Sequence, residues 1–78
     1  MILEIITAEK KVFEGEVISV KFPGSTGEFE VLKNHAPIIS TLTDGNIRVI
    51  DSKEKIENFS INGGVIEMQN NKIIVLAD

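Results

Sequence analysis

Glu16-Val17-Ile18-Ser19-Val20-Lys21-Phe22, followed at once by Pro23-Gly24-Ser25-Thr26-Gly27, is the stretch on which the fold class turns. In the first segment Val17, Ser19 and Lys21 face one way and Ile18, Val20 and Phe22 the other, which is the two-residue period of a strand. Its β-branched and aromatic side chains crowd a helix but fit a pleated surface. The Pro and Gly cluster then ends the run, because Pro lacks an N–H donor and Gly accepts turn conformations.

The same alternation of short apolar runs and turn residues extends in both directions. Toward the N-terminus, Ile2 to Thr7 is a strand. Toward the C-terminus come Glu28 to Leu32, Ile38 to Leu42 and Ile47 to Ile50, the last two separated by Asp44-Gly45. Lys55 to Ile61 carries Ile56, Phe59 and Ile61 at a spacing that breaks strict alternation, as a bulge does. Val65 to Gln69 and Lys72 to Leu76 flank Asn70-Asn71, a two-residue hairpin turn that exploits the tolerance of Asn for positive φ. Gly63-Gly64 reads as a bulge or a close backbone approach. From Asn46 to Asn62 there is neither Gly nor Pro, yet no 3.6-residue apolar stripe, so no long helix is expected. The expectation is an all-β chain: a flattened β-sandwich of eight to ten short, mostly antiparallel strands, forming one domain over residues 1–78.

Composition narrows the chemistry. The 78 residues carry 12 acidic and 8 basic side chains, giving a net charge of −4. With a single arginine (Arg48), no Trp and no Tyr, the chain is a poor nucleic-acid binder. The absence of Cys excludes disulfides, thiol catalysis and cysteine-ligated metal. The longest apolar run, Ile73 to Ala77, falls far short of the ~18 residues of a spanning helix. A basic, then long apolar, leader is also missing from Met1-Ile2-Leu3-Glu4, so the inventory points to a soluble chain inside the cell. A domain this small has a thin core and commonly gains stability from a partner.

No active site is expected. His35, the only histidine, has no second His or Cys with which to build a metal or nucleophile site, and reads as a loop residue ahead of Pro37 or as an interface residue. Glu28 and Glu30, two apart on a strand, share one face and read as a solvated or partner-facing pair. Gly24-Ser25-Thr26-Gly27 lacks the Gly-Lys-Ser/Thr entry into a helix that a phosphate loop needs. No metal and no cofactor is expected. The chain works by contact.

Those contact-bearing segments carry a family pattern. Pro23-Gly24-Ser25-Thr26-Gly27-Glu28-Phe29, then Val31-Leu32 and Asn34-His35-Ala36-Pro37-Ile38-Ile39, resembles the signature of the epsilon subunit of F-type ATP synthases. Thr7-Ala8-Glu9-Lys10 with Val12-Phe13-Glu14-Gly15 resembles the family's opening strand and turn. Asp44-Gly45-Asn46-Ile47-Arg48-Val49 is similar to the middle of its first domain, and Gly63-Gly64-Val65-Ile66-Glu67-Met68 through Val75-Leu76-Ala77-Asp78 to its close.

The resemblance implies a ten-stranded flattened sandwich and a non-catalytic place in the rotor's central stalk, beside gamma and on the ring of c subunits. It implies a c-ring contact at Glu28, Phe29 and Glu30, and gamma contacts at Thr7, His35 and Ser40. It implies a peripheral location on the cytoplasmic face of a bacterial inner membrane, without direct insertion, in an enzyme driven by protons or sodium ions. Family members often have Gly where this chain has Glu30, and Pro where it has Lys33. Many continue into a helical pair past Leu76-Ala77-Asp78; for the sequence as it stands, neither nucleotide binding nor helical self-inhibition is expected.

Two other classes fit a small all-β chain. A biotinyl or lipoyl carrier would present a lysine at a hairpin tip, and Met68-Gln69-Asn70-Asn71-Lys72 puts its lysine after the turn. A β-barrel for single-stranded nucleic acid would need basic and aromatic groups on one face, against four Phe and a net negative charge.

Overall fold

The computed structural model describes residues 1–78. Eight strands follow one another: β1 (Ile2–Ile6), β2 (Lys11–Gly24), β3 (Gly27–Leu32), β4 (Ile38–Leu42), β5 (Gly45–Asp51), β6 (Ile56–Ile61), β7 (Gly64–Gln69) and β8 (Lys72–Ala77). There is no helix. Every pairing is antiparallel except β1 with β8, which run parallel.

Strand β2 organises the rest. Fourteen residues drawn out straight would span about 45 Å at ~3.3 Å each, yet the largest dimension of the molecule is 27 Å. The strand therefore bends, and its two halves serve different layers. Its first half pairs with β1, extending a layer ordered β2–β1–β8–β7–β4. Its second half lies between β3 and β5, in a layer ordered β3–β2–β5–β6. The end of β2 touches β4 through one pair, Gly24 with Leu42, which links the layers again. The first layer is here called sheet I and the second sheet II.

Between them, sixteen apolar residues form one buried cluster. Sheet I contributes Leu3, Ile5, Ile66, Met68, Ile73 and Val75; sheet II contributes Val20, Phe22, Val31, Ile47, Val49 and Ile61. Phe22 and Phe29 pack at 5.4 Å, and Phe13 meets Phe59 edge-on at 5.4 Å, bringing β2 against β6 where no strand pairing joins them.

Three local expectations are corrected. Ile18 does not share a face with Val20 and Phe22: it is exposed, while Val17 is buried. The cause is a bulge. Val17 stands opposite Asp51 and Ser19 opposite Ile50, so Ile18 is an extra residue on β2, and the inward phase shifts by one. By contrast β5 and β6 pair without interruption from Gly45–Ile61 to Ile50–Ile56. There is no bulge between Ile56 and Phe59, and Ile56 simply points outward. Nor does the strand stop at Pro23; β2 runs through Pro23-Gly24, and only Ser25-Thr26 turns the chain into β3.

The expected turns are present. Asn70 and Asn71 have φ of 53° and 60°, with Gln69 paired to Lys72 across them. Gly63 and Gly64 adopt φ of 140° and 152°. A side chain on Gly64 would strike the backbone of Leu76 and Ala77, so the close approach read from Gly63-Gly64 is real.

Candidate functional site

With both inner faces consumed by the core, anything the chain does by contact falls to the outer faces and the turns. On the outer face of sheet I the register sets side chains in rows across four strands. Thr41, Val65, Leu76 and Ile6 form one row, and Ile39, Glu67, Ile74 and Glu4 the next. Ile39 is 75% exposed, Leu76 57% and Val65 42%. Adjacent exposed apolar side chains on one face form a patch, where scattered ones mean little. At its β1 border Lys11 lies 2.8 Å from Glu4 and 3.0 Å from Glu14. The hydrogen bond from Lys11 holds the Glu4 carboxyl below its usual range, and Glu4 in turn raises Lys11.

The outer face of sheet II is built differently. Glu30, Lys21, Arg48 and Asn58 form one row, and Leu32, Ser19, Ile50 and Ile56 its neighbour. Glu30 lies opposite Lys21, yet its carboxylate accepts from Ser19 Oγ at 2.6 Å and from Arg48 Nη2 at 2.7 Å. Arg48 Nη2 also donates to Ser19 Oγ at 2.9 Å. The Ser19 bond first, and Arg48 second, depress the Glu30 carboxyl below its usual range. Lys21 is left to Glu28, at 3.5 Å.

The three residues expected at the c-ring do not act alike in this geometry. Glu28 and Glu30 share the outer face of β3, whereas Phe29 points the other way and packs on Phe22. The three residues expected at gamma are not one cluster. Thr7 closes the turn after β1, its Oγ1 accepting from the N–H of Glu9 and of Lys10 and donating to the Lys10 carbonyl. Ser40 lies on β4, three strands from β1, roughly 14 Å at ~4.8 Å per strand. Its side chain points inward with Ile38 and Leu42, so the neighbour that faces out is Ile39. His35 is exposed in the β3–β4 loop, with Nδ1 2.7 Å from the Ala36 carbonyl. Thr7 and the strand that carries Ser40 thus lie at the two borders of the sheet I patch, with the Ser40 side chain on the opposite face.

Sequence reading missed two contacts. One is the Glu30–Ser19–Arg48 group; Ser19 was visible as the polar residue of an apolar strand, but its partners come from two other strands. The other joins the His35 loop to the β7–β8 turn: the Asn34 N–H donates to Asn71 Oδ1 at 2.7 Å, and Asn71 Nδ2 to Asn34 Oδ1 at 2.8 Å. No group of three or more His, Asp or Glu side chains is placed to hold a metal ion. Lys72 belongs to β8, with Asn70-Asn71 at the tip, which removes the geometry a carrier lysine requires.

The residues 1–78 match the family model described as ATP synthase, Delta/Epsilon chain, beta-sandwich domain. The chain is 41% identical over 76 residues to an ATP synthase epsilon chain of Chlorobium limicola, covering 97% of itself and 86% of that relative. It is 43% identical to the epsilon chain of Campylobacter concisus, of which it spans 59%. Its fold superimposes with a TM-score of 0.92 on a chain of the Euglena gracilis mitochondrial ATP synthase, at 20% identity, covering 99% of itself and 49% of that chain. A chain of the Tetrahymena thermophila central stalk and c-ring gives 0.79 at 14% identity, over 62% of its length. A family model matched from the first residue to the last, with relatives above 40% identity, settles the lineage: the chain belongs to the ATP synthase delta/epsilon family and comprises its β-sandwich domain.

Proposed function

We propose that this chain is a non-catalytic subunit of the rotor's central stalk in an F-type ATP synthase, holding gamma against the c-ring so that torque passes between them. The observation that carries the reading is the apolar patch on sheet I, formed by Ile39, Val65 and Leu76 on strands whose other faces already fill the core. A patch of this kind, bordered by charge, is what a protein partner covers. Gamma covers it, with Thr7 and the strand that carries Ser40 at its borders and His35 in the adjoining loop. The β2–β3 turn and Glu28 meet the polar loops of the c-ring. The assembly sits on the cytoplasmic face of a bacterial inner membrane, and this chain itself stays out of the bilayer.

The mechanism is burial and stiffness, with no bond made or broken. Burying Leu76 and Val65 supplies a transfer free energy of roughly 25 cal/mol per Å² of apolar surface, and affinity is what exceeds the entropy cost of association. The closed pairing of sheet I gives the rotor an element that resists shear.

Co-expression with gamma from the same organism, followed by size exclusion, tests this. A one-to-one complex is expected, with Leu76→Glu and Val65→Glu each lowering affinity at least ~10-fold, since a buried unpaired charge costs several kcal/mol. A chain that stays alone at all salt concentrations, or that binds gamma equally well with both substitutions, refutes the sheet I assignment.

A further inference from the structure

Strand β3 is an edge strand. It pairs only with β2, and it carries the turn and the acid assigned above to the c-ring. An edge strand held from one side is the part of a sheet most prone to open. Here a second attachment crosses it. Arg48 reaches from β5 over β2 to the Glu30 carboxylate on β3, and Ser19 of the intervening strand donates to the same oxygen. Ser19 is buried beneath this pair, at 6% exposure. The Arg48 Nε is buried too and has no acceptor, so the guanidinium bonds through Nη2 alone. One carboxylate oxygen thereby joins three strands.

The same geometry separates the two acids of β3. Glu30 is engaged with Ser19 and Arg48 at hydrogen-bond distance, whereas Glu28 faces only Lys21 at 3.5 Å, with two thirds of its side chain exposed. We infer that Glu30 is a positioning residue: it pins β3 to β5 through Arg48 and Ser19, and so holds the β2–β3 hairpin and Glu28 in place for the ring, without meeting the ring itself. The inference rests on the rotor reading for the partner, but the pinning of β3 stands apart from it.

Hydrogen exchange on the intact chain tests the pinning. Glu30→Gln is expected to speed exchange of the β3 amides by roughly 3- to 10-fold, as loss of a charge-assisted bond at a partly exposed site implies. The β7 and β8 amides stay as they were. The swap of Glu30→Arg with Arg48→Glu is expected to restore slow exchange in β3. Unchanged β3 exchange in Glu30→Gln, or failure of the swap to rescue it, overturns the proposal.

Association with a detergent-solubilised complex of gamma and the c-ring separates positioning from contact. Glu28→Gln is expected to flatten the salt dependence of the association rate. Glu30→Gln is expected to slow association about 2- to 5-fold with the salt dependence intact, because a loosened hairpin spends less time in the binding geometry. If Glu30→Gln flattens the salt dependence as Glu28→Gln does, Glu30 is a contact and the proposal fails. If the unsubstituted chain does not associate at all, the rotor reading fails, and the exchange experiment alone decides the pinning of β3.

Discussion

Gly64 offers a way to measure how tightly the layer beneath the apolar patch is built. It begins β7 opposite Ala77 of β8, at φ of 152°. In Gly64→Ala the new Cβ would meet the Leu76 carbonyl oxygen first, then Ala77 Cα at 3.0 Å and the Leu76 carbonyl carbon at 3.2 Å, all inside the 3.4 Å where ordinary contact begins. These are backbone atoms of a paired strand and cannot swing aside. Gly27→Ala is the natural control, since Gly27 has φ of 131° but nothing within 4 Å of the added carbon. Both substitutions incur the backbone strain of a side chain at positive φ, of order ~1–3 kcal/mol. Only Gly64→Ala adds the cost of forcing β7 from β8, about 1–3 kcal/mol by analogy with overpacking. A chain of this length has a total stability of about 4–12 kcal/mol, so Gly64→Ala approaches the unfolding threshold while Gly27→Ala does not. Urea unfolding reads the difference directly. With a slope of about 1 kcal/mol/M, the midpoint of Gly64→Ala should fall about 1–3 M below that of Gly27→Ala. Equal midpoints would refute the reasoning, because the close approach would then carry no energetic weight.

Further outcomes follow from burial and charge. Ile66→Ala, at a fully buried site, should lose about 2–5 kcal/mol in thermal or urea unfolding, whereas Ile39→Ala, on the exposed patch, should stay within about 0.5 kcal/mol; a large loss at Ile39 would mean that the patch supports the fold. The Glu4 and Glu30 carboxyls are depressed below 4.5, so their stabilisation is present above that value and disappears as pH falls through the lower folded-state pKa. Carbon-detected NMR titration of the two carboxyls should show both midpoints below that of an unpaired glutamate. Lys11 is raised above 10.5, so its stabilisation is complete below that pH and is lost as pH rises through the higher folded-state value. Lys11→Met should return the Glu4 midpoint toward 4.5 while leaving Glu30 alone.

Much of the strand and turn layout was legible in the residues because it rests on local chemistry. Asn70-Asn71 occupies a positive-φ turn that few other side chains tolerate, and Gly64 adopts a positive φ where a Cβ would strike the backbone of β8. The family signature around Pro23 to Ile39 was equally local, a string of residues read in order. The candidate surface was less legible. Glu28 and Glu30 were placed on one face by their spacing, correctly, but their different roles depend on Arg48, eighteen residues further along the chain, and on Ser19. The apolar patch unites residues of β4, β7 and β8 with Ile6 of β1, and no single segment displays it.

Composition and local pattern by themselves determined the all-β class and the position of most turns, because each depends on what a few neighbouring residues can adopt. Only the tertiary structure decided that β1 and β8 run parallel, that β2 bends to serve both sheets, and that Ile18 rather than Val17 faces outward. Strand side chains alternate with a period of two, so one extra residue on β2 exchanges the faces. Whether that residue is present as a bulge is settled by the register against β5, some thirty residues away, and by the core that both strands must close.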